Sequence, residues 1–120
     1  MENNKKDDKL YLQKMLDIIN YIEKYLNNME NNNLKMEPNS QYADGVIYKF
    51  IQLREEAKNL SEDLLLNNPV LSNNIKPLIG FRNRLTHDYE NVSYSFFDEI
   101  IENDLPILKN EIIKCLNSSK

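Results

Sequence analysis

Cysteine occurs once in this 120-residue chain, glycine twice, proline four times, histidine once and tryptophan not at all. Each shortage excludes something. A lone cysteine, Cys115, cannot close an intrachain disulfide. So few helix breakers leave long uninterrupted segments, which suit helices better than a sheet with its turns. No apolar run approaches the roughly 18 residues that a membrane-spanning helix requires. One histidine and one cysteine make no zinc cluster. No glycine-rich loop is present to cradle ATP phosphates. Serine and cysteine lack a second histidine to activate them. Positive charge is also in short supply: 15 Lys and Arg stand against 19 Asp and Glu, for a net charge of −4. Broad, salt-driven capture of nucleic acid needs a basic face, so any such contact must be local. No charged-then-apolar leader opens the chain, which predicts a cytoplasmic protein with no membrane association.

What the chain does have is apolar residues at helical spacing. Its length predicts one domain over 1–120, with 1–6 and 117–120 frayed. A first helix is expected from about Asp7 to Met29, with Leu12, Met15, Leu16, Ile19, Ile22, Leu26 and Met29 as its core stripe. A polar loop over Asn27 to Asn39 overlaps its end. A second helix is expected from Ser40 to Leu66, with the stripe Val46, Ile47, Phe50, Leu53, Ala57, Leu60 and Leu64. Gly45 is a weak point in it, and Asn67-Asn68-Pro69 stops it. A third runs from about Asn74 to His87, with Pro77 tolerated in its first turn. Ser93 caps a fourth that presents Phe96, Phe97, Ile100 and Ile101. Pro106 cannot donate to the Glu102 carbonyl, so the helix kinks or restarts there and a last segment reaches about Leu116. The fold class predicted is all-α, an up-and-down bundle of four to five helices.

Several residues receive structural readings. Cys115 shares an apolar face with Leu108, Ile112 and Leu116 and reads as a small core residue. Asparagine runs such as Asn31-Asn32-Asn33 read as turns. The pairs Glu55-Glu56 and Glu62-Asp63 diverge on a helix and read as solvated faces rather than metal ligands. Arg54 and Lys58 read as solvated surface charge. Tyr11, Tyr21, Tyr25, Tyr42, Tyr48 and Tyr94 read as packing or rim residues.

One segment points to chemistry: Gly80-Phe81-Arg82-Asn83-Arg84-Leu85-Thr86-His87-Asp88-Tyr89. His87 is the lone histidine, the side chain that trades a proton near neutral pH. Arg82 offers a planar, permanently charged fork suited to phosphate. A proton-transfer group beside a phosphate clamp is the minimum equipment for phosphodiester cleavage without a metal. On a continuous helix Arg82 aligns with Thr86, and Asn83 with His87. Arg82 and His87 are five apart and off one another's face. They converge only if the helix ends near Thr86 or if a second copy completes the site, which leans toward a two-fold homodimer. The competing reading is that His87 caps a helix C-terminus.

The string Gly80-Phe81-Arg82-Asn83 … His87-Asp88-Tyr89-Glu90-Asn91-Val92 resembles the signature of HepT proteins in the HEPN superfamily. That superfamily is marked by Arg, four to six residues, then His. The longer HepT form, Arg-x4-His-x-Tyr, is matched by Arg82, His87 and Tyr89. Leu53-Arg54-Glu55-Glu56-Ala57-Lys58-Asn59-Leu60-Ser61 resembles the family's Ile-Gly-Glu-Ala-Ala segment followed by Leu-Ser, and Leu105-Pro106-Ile107-Leu108 its Leu-Pro-x-Leu. The likeness spans about residues 7 to 116. Arg54 stands where the family often has Gly, and Ile75 where it often has Trp.

The resemblance implies a HEPN-like bundle and a ribonuclease toxin that forms a homodimer and needs no cofactor. Arg82 and His87 are then catalytic, with Asn83 in support. It also implies a partner, a minimal nucleotidyltransferase antitoxin that transfers AMP to Tyr89. A second reading belongs to another class: a non-catalytic helical binding subunit of a nucleotidyltransferase complex. The net acidity favours that reading, and the intact Arg82, His87 and Tyr89 set favours the first.

Overall fold

The computed structural model describes residues 5–31, 41–76, 78 and 100–118, and every regular element among them is a helix. Helix α1 spans Lys5–Asn31, α2 spans Gln41–Ala57 and α3 spans Glu62–Asn67. Helix α4 covers residues 69–76. A π-helical turn, Ile100–Asp104, leads directly into α5, Leu105–Ser118. The expected all-α bundle is what these elements form.

Helix α1 is the central element. Leu12, Met15, Ile19 and Ile22 fall three or four residues apart and are 0–1% exposed. Leu16 and Leu26 flank that stripe and are partly buried. Asp7 and Asp8 sit in the first turn, where negative charge meets the positive end of the helix dipole. Helices α2 and α5 both pack on α1.

Both neighbours run antiparallel to α1. Tyr25, late in α1, faces Gly45, early in α2; a Cβ at Gly45 would stand 3.0 Å from Tyr25 Oη and 3.3 Å from its Cζ. At the opposite end, Asp8 meets Ser61 just beyond α2. On the other side, Lys109 Nζ pairs with Glu23 at 2.7 Å, tying the start of α5 to the later part of α1. The α2 stripe Val46, Ile47, Phe50, Leu53 and Ala57 is buried against this core, as are Leu105, Leu108, Ile112 and Cys115 of α5.

Two helix boundaries differ from expectation. The second helix does not run on to Leu66. It ends at Ala57, and Leu60 is buried beyond that end. Ser61 then takes an extended conformation (φ −69°, ψ 153°), and its Oγ accepts the Leu64 N–H at 3.1 Å as the N-cap of α3. The apolar stripe continues through the break, which is why periodicity alone reads one helix. The helix expected from Asn74 begins earlier, at 69. Asn68 accepts the Ser72 N–H at 3.0 Å through its carbonyl, and Pro69 occupies the first helical position, where its missing N–H costs nothing. Asn67-Asn68-Pro69 therefore stops one helix and starts the next.

Asn68 holds that corner together. Its Nδ2 donates to the Leu64 carbonyl at 2.8 Å, and its Oδ1 receives the Cys115 thiol at 3.5 Å. The restart expected at Pro106 is present: wider π-type bonding over Ile100–Asp104 gives way to α-helix at Leu105. Helix α5 runs two residues past the expected Leu116, to Ser118. Pro77, Ser93, Phe96 and Phe97 lie outside the described residues.

Candidate functional site

Arg82, Asn83, His87 and Tyr89 lie outside the described residues. What the structure describes is how the chain is fastened on either side of them. On the approach, Leu71 and Ile75 of α4 and Leu78 beyond it are 0–6% exposed, so the chain is seated in the core as far as Leu78. Lys76 is exposed between them. On the return, Leu105 and Leu108 of α5 are equally buried. The described residues that precede and follow the motif thus share one hydrophobic core.

The segment resembling the family's helix-two pattern lies wholly within the described residues, and it corrects one expectation. Arg54 is not a solvated surface charge. Its side chain is 14% exposed, its Nη1 pairs with Glu55 Oε1 at 2.9 Å, and its Nε is buried without a hydrogen-bond partner among the described residues. Lys58 does match expectation, 52% exposed with its Nζ 3.5 Å from Glu55 Oε2. Glu56 departs from the solvated reading as well, because its Oε2 is buried and accepts no hydrogen bond among the described residues. A charged head held under a protein surface leaves no trace in helical periodicity.

Asp8 is the polar residue that sequence reasoning missed. It is 3% exposed, and its two carboxylate oxygens accept the Ser61 backbone N–H at 2.7 Å and the Ser61 hydroxyl. A buried carboxylate with both oxygens engaged is a structural clamp, not an idle acid. The Leu60-Ser61 pair in the family-like segment is where that clamp closes.

Cys115 is buried as expected. Burial pushes its thiol pKa up, and the nearby negative charge of Glu111 adds to the rise. Both effects keep it protonated and unreactive. Among the described residues, no group of three His, Cys, Asp or Glu is placed to hold a metal ion, and no helix is long and apolar enough to cross a membrane.

No solved structure matches this chain. The family described as Ribonuclease HepT-like matches over residues 15–115, a span that holds most of α1, all of α2 to α4 and the Arg82 to Tyr89 motif. On that match, the chain belongs to the HepT-like ribonuclease family.

Proposed function

We propose that the chain is a metal-independent endoribonuclease, the toxin of a HEPN/MNT toxin–antitoxin pair. The observation that carries this reading is the intact Arg82-x4-His87-x-Tyr89 set inside the family-matched span. A ribose 2′-oxygen attacks the adjacent phosphorus, and the bond to the 5′-oxygen breaks. His87 accepts or returns the moving proton. Arg82 holds the phosphate and stabilises the charge that builds on it. Asn83 orients His87 or a phosphate oxygen. The nucleophile is internal to the RNA, so the products carry 2′,3′-cyclic phosphate and 5′-hydroxyl ends.

The five-residue offset between Arg82 and His87 supports a homodimer that brings two motifs to its axis, checked by sedimentation at micromolar concentration. Control comes from a minimal nucleotidyltransferase antitoxin that adenylylates Tyr89. An adenylyl group two residues from His87 blocks RNA by bulk and by like-charge repulsion.

The test is cleavage of RNA by purified protein with and without a chelator. His87→Ala and Arg82→Ala should each lower the rate at least about a hundredfold. Undiminished cleavage by His87→Ala, or full dependence on magnesium, refutes the mechanism.

A further inference from the structure

Asn68 binds three helices at once. Its Nδ2 donates to the Leu64 carbonyl of α3 at 2.8 Å, and its backbone N–H reaches the Leu65 carbonyl at 3.4 Å. Its own carbonyl accepts the Ser72 N–H of α4 at 3.0 Å. Its Oδ1 takes the thiol proton of Cys115 in α5, with Sγ at 3.5 Å. The fastening continues toward α1. The Leu64 N–H donates to Ser61 Oγ, and Ser61 is held by Asp8. A run of polar contacts thus ties the first turn of α1 to α3, α4 and α5. Helix α4 is the described helix that leads toward the motif, and Leu78 is the last described residue before Arg82. Leu71 and Ile75 bury one face of α4. Apolar burial is non-directional, so it holds a helix down without setting its rotation or its place along its axis. Hydrogen bonds do set them, because they require a distance and an angle.

We propose that Asn68 is a positioning residue for Arg82 and His87, fixing the start of α4 against α3 and α5 and so the point from which the chain enters the motif. It acts through α4. Over residues 69–76 that helix is about 12 Å long and hydrogen-bonded along its length, so a displacement of its first turn passes to its last. A phosphate clamp and a proton carrier tolerate little misplacement: an error of about 1 Å, caused far from the chemistry, can lower a rate about a hundredfold. The effect of Asn68 on cleavage rests on the ribonuclease reading proposed above. Its effect on the surroundings of His87 does not.

The experiment uses the full chain and its lone histidine, whose ring-proton magnetic resonance signals report on the motif directly. Asn68→Ala removes the side-chain bonds to Leu64 and Cys115. It should move the His87 signals. In RNA cleavage it should lower kcat at least about tenfold while KM changes by less than about threefold, as misplacement of reacting groups does. Leu26→Ala is the control. Leu26 packs on the core about 27 Å along α1 from Asp8, so its loss should lower stability without either effect. Cys115→Ala removes only the thiol contact and should move the same His87 signals by less. It stands in if Asn68→Ala does not fold. Unmoved His87 signals in whichever of these two variants folds overturn the proposal. So does equal movement by Leu26→Ala, or a raised KM with kcat unchanged. Absence of cleavage by the natural chain would refute the ribonuclease reading instead, and the His87 signals would still decide the role of Asn68.

Discussion

Asp8 and Ser61, 53 residues apart, are joined at two points: the Asp8 carboxylate takes both the backbone N–H and the hydroxyl of Ser61. Ser61 Oγ in turn accepts the Leu64 N–H that begins α3. The first turn of α1 therefore determines where α2 gives way to α3. Ser61→Ala removes the cap and strips a buried carboxylate of one partner. Loss of an N-cap alone is about 1 kcal/mol and an unpaired buried acceptor about 1–3 kcal/mol. Urea unfolding of Ser61→Ala should show a loss of about 2–3 kcal/mol. Asp8→Ala should do similarly, and the double variant should fall well short of the sum because the two share one interaction.

Gly45 opposes two effects. Alanine there gains up to about 1 kcal/mol of helix propensity. It also drives a methyl group to 3.0 Å from Tyr25 Oη, closer than ordinary contact. The ring must yield by a few tenths of an ångström, yet Tyr25 is held by stacking on Tyr21 at 6.2 Å between centroids. Gly45→Ala should therefore be near neutral in the natural chain. Beside Tyr25→Phe, which removes the 3.0 Å contact and leaves Cζ at 3.3 Å, Gly45→Ala should be more favourable than in the natural chain. Thermal unfolding of the four-member cycle checks the sign.

The raised pKa of Cys115 has a consequence at alkaline pH. The folded state keeps its proton where the unfolded chain, near the ordinary value of 9.0, releases it. Proton binding is thus greater in the folded state above that value, and stability falls as pH rises. Its contribution is fully present below pH 9.0 and is lost as pH climbs through the folded pKa. Denaturant midpoints measured across that range should decline less steeply for Cys115→Ala, from a lower starting stability because a cavity is left. An aromatic disulfide reagent should modify Cys115 much more slowly in the folded than in the unfolded chain.

Tyr89 should be the modified residue when the chain is produced with a cognate nucleotidyltransferase. Tyr21 and Tyr48 are the internal controls, since they are 49% and 59% exposed and exposure alone would recruit them. Intact-mass and peptide spectra should place one AMP-sized addition on Tyr89. Tyr89→Phe should stay folded, keep most RNA cleavage and escape silencing. Addition at Tyr21 or Tyr48 instead would mean that accessibility, not the motif, selects the site.

Sequence alone determined the stripes that build the core. Leu12, Met15, Ile19 and Ile22 on α1, and Leu108, Ile112 and Cys115 on α5, are buried as their spacing requires. A helix exposes one face per turn, so periodicity and burial are one fact seen twice. Pro106 was equally legible, because a missing donor acts on its own backbone. The family was likewise readable in residue identities and their order. Tertiary structure alone decided the break after Ala57 and the burial of Asp8 and Arg54. Each depends on groups far apart in the chain. Ser61 ends a stripe that would otherwise run on, because a carboxylate from α1 holds it there, and no local pattern records which distant side chain will arrive.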